Sequence, residues 1–166
     1  MRHNGFIEEG SSMASASSVK PKVNPIPDGY HSVTPYLTVA DADRLMRFVK
    51  DAFGAQEVFV HRGPDGAISH GEAKIGDSIV MMGRPRGDAK LMPAMIYLYV
   101  PDTDLVYRTA MSAGGKSLRE PVNEFYGDRC AGVEDPCGNQ WYMATHIEDV
   151  SPDELQRRLA AMAQKS

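Results

Sequence analysis

The sequence is short of cysteine, of clustered basic residues and of long apolar runs, and each shortage excludes something. Two cysteines in 166 residues, Cys130 and Cys137, are too few for a disulfide framework. Each is expected to be a small buried or half-buried thiol. The net charge is −4 and no stripe of Lys and Arg stands out, which argues against nucleic-acid binding, because neutralising phosphates takes clustered cations. No apolar stretch approaches the roughly 20 residues that span a bilayer, so no membrane partner is expected. The opening MRHNGFIEEGSSMASASSVKPKVNPIP lacks the apolar run of a secretory signal, and with so little cysteine this points to the cytoplasm. Its Ser-rich composition cannot bury enough apolar area to offset ordering entropy, so residues 1–25 are read as a flexible tail.

What the sequence does contain is a repeat. SVTPYLTVADADRLMRFVKDAFGA (32–55) lies over PAMIYLYVPDTDLVYRTAMSAGGK (93–116). Tyr36 then meets Tyr97, Asp41 meets Asp102, Asp43 meets Asp104, and Gly54 meets Gly115. Each copy reads as an alternating strand, an Asp-x-Asp helix start and a helix ended by glycine. Asp41 and Asp102 suit the N-cap, where a carboxylate accepts free backbone N–H groups. Leu45, Phe48, Val49, Ala52 and Phe53 recur at helical spacing. Downstream, GEAKIGDSIVMMG (71–83) aligns with GVEDPCGNQWYMAT (132–145), the Gly-Asp and Gly-Asn pairs being turn chemistry between strands.

The expected fold is therefore α+β: two tandem βαβββ modules, 26–90 and 91–149, forming a curved mixed sheet around a cleft with helices outside. A C-terminal helix over 150–166 is expected from Ser151-Pro152-Asp153-Glu154, which combines an N-cap, a first-turn proline and a capping-box glutamate.

Two such modules, with YLTVADADRLMRFVKDAFGA, HGEAKIGDSIVMM, YVPDTDLVYRTAMSAGG and FYGDRCAGVEDPCGNQWYMATH, resemble the vicinal oxygen chelate superfamily of glyoxalases, bleomycin-resistance proteins and extradiol dioxygenases. The FYGDR and D-P-x-G-N-x-W pieces are similar to a bacterial glyoxalase-like branch. In metal-using members each module offers one ligand from its first strand and one from its last. Here those places fall near Thr34, Met95, Val80 and Tyr142, none of them His or Glu. A slip of one position brings in no better ligand, so no cofactor, and no metal in the usual place, is expected.

If those places face the cleft, period-two alternation lines it with Thr34, Tyr36 and Thr38, with Met95, Tyr97 and Tyr99, with Ser78, Val80 and Met82, and with Gln140, Tyr142 and Ala144. Such walls suit an organic molecule with apolar area, although tyrosines on strands also serve as core filling. Trp141, of opposite parity, is expected under the helices or at the module interface. His70 is the candidate acid–base residue, with an ordinary polar pairing to Glu72 as the alternative. Arg129 is a candidate carboxylate grip, or else a partner for Asp128, Glu124 or Glu134. Tyr126 is a candidate lid aromatic. The ligand-binding set is thus Thr34, Tyr36, Met95, Tyr97, Tyr126, Arg129 and Tyr142. The expected function is metal-free binding of a small, largely apolar or aromatic molecule by a homodimer. The alternative is a lyase, isomerase or dioxygenase of the glyoxalase type with a displaced metal or His-based chemistry.

Overall fold

The computed structural model describes residues 23–164, so most of the tail expected over 1–25 lies outside the described residues. The first module comprises β1 (Tyr36–Thr38), α1 (Ala42–Phe53), β2 (Gln56–Arg62), β3 (Ile68–Ile75) and β4 (Ser78–Gly83). The second comprises β5 (Met95–Tyr99), α2 (Thr103–Ser112), β6 (Lys116–Asn123), β7 (Asp128–Glu134) and β8 (Gln140–His146), followed by α3 (Pro152–Ala163). Each module folds into a four-stranded mixed sheet, in the orders β1-β4-β3-β2 and β5-β8-β7-β6. The first strand runs parallel to the last and the other neighbours are antiparallel.

The duplicated Asp-x-Asp divides its labour. The first aspartate caps: Asp41 accepts the N–H of Arg44, and Asp102 that of Leu105, both at 2.9 Å. The second ties the helix start to the sheet. Asp43 accepts the N–H of Ile68 at 2.7 Å and the Arg62 guanidinium at 2.8 Å. Its carboxyl sits below the ordinary value chiefly because of the Ile68 bond. Gly54 ends α1 with φ +64°, a left-handed cap that glycine adopts without a Cβ penalty.

One face of each sheet is closed by its helix. Leu45, Phe48, Val49 and Ala52 of α1 pack with Leu37, Ala73, Val80 and Met82, and this core runs on into Ala110, Ala131, Val133, Trp141 and Met143. Each large side chain so buried contributes about 1.5–3 kcal/mol. The modules meet through α1 against α2, and Ser78 and Val80 of β4 line a common recess with Ile96–Tyr99 of β5 and with Trp141. Trp141, fully buried, sits at that junction with its ring 4.8 Å from that of Phe53.

The D-P-x-G-N-x-W stretch is a structural knot. The buried Asp135 carboxylate accepts the N–H groups of Cys137 (2.7 Å) and Asn139 (3.0 Å), the Asn139 amide (2.8 Å) and the Trp141 indole (2.9 Å). Asn139 Oδ1 in turn accepts the N–H of Ala94 at 3.2 Å, fixing the approach to β5. Helix α3 buries no side chain. Arg158 ties it to the Phe125 carbonyl (3.1 Å) and to Glu148 (2.6 Å). No helix among the described residues is long and apolar enough to cross a membrane.

Candidate functional site

The helices leave the second face of each sheet turned outward, and strand register shows what lies there. On the first sheet Tyr36 stands opposite Met81, Met81 opposite Glu72, and Glu72 opposite Phe59. On the second, Tyr97 stands opposite Tyr142, and Tyr142 opposite Gly132. The Tyr142 ring lies so close over Gly132 that a Cβ there would come within 2.9 Å of it.

These faces hold most of the side chains singled out from the sequence. Thr34, Tyr36 and His70 share the first, with Tyr36 45% exposed. Met95, Tyr97 and Tyr142 share the second, with Met95 66% and Tyr97 42% exposed, and Tyr126 stands at its edge. The last-strand place in the first module is corrected. Val80 and Met82 are buried in the helix-side core, and Met81 is the counterpart of Tyr142. The two turns differ in length: β3 ends at Ile75 and β4 begins at Ser78, whereas β7 ends at Glu134 and β8 begins at Gln140. Aligning the turn glycines therefore shifts the strand by one residue and reverses its faces.

The first face carries a hydrogen-bonded row. Tyr30, from the segment before β1, donates its hydroxyl to Glu72. The other Glu72 oxygen is 3.0 Å from His70 Nε2, and His70 Nδ1 is 3.3 Å from the Tyr36 hydroxyl. With Nε2–H given to the carboxylate, Nδ1 offers a lone pair to the Tyr36 O–H. Burial pushes the Glu72 carboxyl up, but the bonds from Tyr30 and His70 outweigh it and the net shift is downward. The segment from Pro25 to Thr34 and this face also line an open recess of about 480 Å³ that includes Glu72 and Met81.

The second face centres on the buried Asp128, which accepts from Tyr99 (3.0 Å), Tyr97 (3.4 Å) and His146 Nδ1 (2.9 Å). The Tyr97 hydroxyl also lies 3.4 Å from that of Tyr126 and 3.8 Å from Cys130 Sγ. Burial first, then these two neighbours, push the Tyr97 phenol up. The bond to Asp128 does the same for Tyr99. His146 is raised from 6.5 by Asp149 first and Asp128 second. Tyr97 and Tyr99 are therefore neutral hydrogen-bonding phenols at neutral pH.

Arg129 lies on the other side of the sheet. Its guanidinium grips Asp104 of α2 at 2.5 and 2.7 Å and Asn123 at 2.8 Å, so its partner is none of the carboxylates named from sequence. Cys130 is buried and Cys137 half-buried. Burial, then Asp135 and Asp41, push the Cys137 thiol up to about 11, which suits a packing group rather than a nucleophile. Sequence reasoning missed the parts played by Tyr30, Phe59 and Asp128. Asp128 carries a usable signal, since it shares parity with Cys130 and Gly132 and so falls on the face of Tyr97 and Tyr142. Tyr30 precedes the repeat and has none.

The first- and last-strand places that the resemblance assigns to metal ligands carry no His, Cys, Asp or Glu. The places are filled by Thr34, Tyr36, Met81, Met95, Tyr97 and Tyr142. Among the described residues no three His, Cys, Asp or Glu side chains are grouped to hold a metal ion.

Two βαβββ modules, each with a helix behind its sheet and a tyrosine-bearing outer face, define a protein of the glyoxalase-like class. The chain belongs to the Glyoxalase/Bleomycin resistance protein/Dioxygenase superfamily, whose family model matches residues 29–143. It is 29% identical over 141 residues to the Mycobacterium tuberculosis protein Rv0887c, named only as uncharacterized, covering 78% of this chain and 83% of that one. Among solved structures, TioX from Micromonospora sp. ML1 superposes with a TM-score of 0.61 at 21% identity, covering 69% of this chain and 98% of TioX. A superfamily member from Sphaerobacter thermophilus gives 0.58 at 21% identity, covering 69% and 96%.

Proposed function

We propose that this protein binds a small, largely apolar or aromatic organic molecule on its tyrosine-bearing sheet faces without a metal ion, and that a second copy completes the cleft. The observation that carries this is the pairing of an open aromatic face on each sheet with places for metal ligands filled by Thr, Met and Tyr. Ring faces supply contact area and hydroxyls supply orientation, while methionine adapts to shape. Among the described residues each helix lies behind its sheet, and the 25–34 segment covers only the Glu72–Met81 part of the first outer face. Twofold pairing sets the first face of one copy against the second face of the other, twice over, and removes exposed apolar surface from water.

The test is a thermal-shift screen of aromatic natural products and antibiotics, followed by calorimetry and sedimentation. A ligand at a hundred times its Kd adds about 2.7 kcal/mol of stability, and one bound molecule per cleft of a homodimer is expected. If no compound stabilises the fold and Tyr36→Ala, Tyr97→Ala and Tyr142→Ala change nothing, the reading fails.

The Tyr30–Glu72–His70–Tyr36 row favours a second reading, metal-independent acid–base chemistry of the lyase or isomerase kind, because it can pass a proton to or from the Tyr36 oxygen. His70→Ala separates the two. Loss of turnover with binding retained identifies an enzyme, and no turnover on any bound compound identifies a binding protein.

A further inference from the structure

Phe59, His70 and Tyr36 stand side by side across the first sheet. The His70 ring is stacked 5.7 Å from Tyr36 at 27° and tilted 6.1 Å from Phe59. Beside them, Tyr36, Phe59, His61, His70 and Arg86 line a shallow, open recess of about 440 Å³. Phe59 is 51% exposed among the described residues, a large ring left on the surface.

The charges around this recess are unequal. Arg62 is engaged by Asp43, and Arg84 is held by both oxygens of Asp65 at 2.7 and 3.0 Å. Glu72, the carboxylate of this face, is committed to Tyr30 and His70. Arg86 makes no side-chain bond to any described residue and lines the recess with its charge unspent. A guanidinium beside aromatic walls matches a planar anion carried on a ring: the ring rests on Phe59 and Tyr36, and the carboxylate meets the guanidinium fork. His61 is held by Ser69 through Nδ1 at 2.8 Å, which turns its ring edge without using Nε2.

We infer that this recess is the acid-recognising end of the cleft and that the ligand class is aromatic carboxylates. The inference rests on the metal-free binding reading and adds to it the charge and the orientation of the guest. Arg86 selects the anion, while the two rings bind the carbon skeleton whatever its charge.

The experiment is calorimetric titration of the full-length protein with 2-naphthoate and with its neutral isostere 2-naphthamide, repeated on Arg86→Gln and Phe59→Ala. Both substitutions are at exposed positions and spare the core. A charge-assisted bond of this kind corresponds to about tenfold in affinity. The naphthoate is expected to bind about tenfold more tightly than the amide. Arg86→Gln is expected to abolish that preference while leaving the amide unchanged, and Phe59→Ala to weaken both. Equal affinity for the two probes, or a preference that survives Arg86→Gln, overturns the subsite and leaves the binding reading standing. Failure of both probes to bind also overturns the subsite, and the wider reading is then judged by the thermal-shift screen and the Tyr97 and Tyr142 variants, which lie on the other face.

Discussion

The Tyr36 hydroxyl lies 3.3 Å from His70 Nδ1, and at the matching place of the second module the Tyr97 hydroxyl lies 3.8 Å from Cys130 Sγ. His70 opposes Gly83 and Cys130 opposes Ala144 in the two registers, so these are the same site in two copies. One copy gives its tyrosine a base, and the other gives it a thiol and a buried aspartate. Duplication has thus kept the aromatic frame and varied the polar group beneath it.

That division predicts different outcomes for two substitutions at one position. Tyr36→Phe keeps the ring and removes the hydroxyl that His70 holds. Affinity for an apolar aromatic ligand is expected to change by less than about threefold, because the ring contact outlasts one exchanged hydrogen bond. Tyr36→Ala removes the ring and is expected to cost about tenfold or more, as truncated aromatic anchors do. Titration calorimetry on both variants checks this, and equal losses would place the hydroxyl rather than the ring at the centre of recognition.

Asp135 is expected to dominate stability without touching ligand. Asp135→Ala strands four donors in and around a buried turn and frees the indole of Trp141 from its anchor. A loss of about 3–5 kcal/mol is expected in urea unfolding, comparable to breaking a buried hydrogen-bond network. A loss below about 1 kcal/mol would show that the turn stands without its aspartate.

The pH dependence has opposite signs on the two faces. His146 is raised from 6.5, so its protonated form is favoured by folding. That contribution is fully present below 6.5 and is lost as pH rises through the raised value. Asp149→Asn removes the larger cause and should bring the midpoint down toward 6.5, read from the imidazole signals by NMR. Glu72 lies below its ordinary 4.5, so its contribution is present above 4.5 and is lost as pH falls through the lowered value. Tyr30→Phe should raise that midpoint in a carboxylate titration. No movement in either variant would mean that the Asp149–His146 and Tyr30–Glu72 hydrogen bonds do not form in solution.

Arg129 is expected to matter for the helix and not for the guest. A double-mutant cycle of Arg129→Ala with Asp104→Ala should return a coupling of at most about 1 kcal/mol, since both side chains are about a third exposed. Ligand affinity should be unchanged in all three variants. A selective loss of affinity for carboxylate ligands in Arg129→Ala would return this residue to the cleft.

Much of the architecture was legible because the physics that sets it is local. Asp41 and Asp102 announce two helix starts, Gly54 announces an end, and alternation in YLT and MIYLY assigns Tyr36, Tyr97 and Tyr99 to the outer face. The register of β4 was not legible. A turn glycine marks where the chain reverses but not how many residues the reversal takes, and one residue is enough to put Val80 in the core and Met81 outside. Arg129 was misdirected for a related reason: it lies between Asp128 and Cys130, so alternation turns it away from both. Tyr30 and Arg86 stand on connecting segments outside the repeat, where no periodicity reports direction, and they became visible only when the chain was folded over Glu72 and Phe59.

The most direct measurement of the central claim is calorimetric binding of a ligand from the screen, with elemental analysis, before and after exhaustive treatment with a chelator. The account predicts no stoichiometric divalent ion, affinity unchanged by the chelator, and affinity lost when Tyr36 and Tyr97 are replaced by alanine. A bound ion whose removal abolishes binding, with the tyrosine variants unaffected, would contradict it.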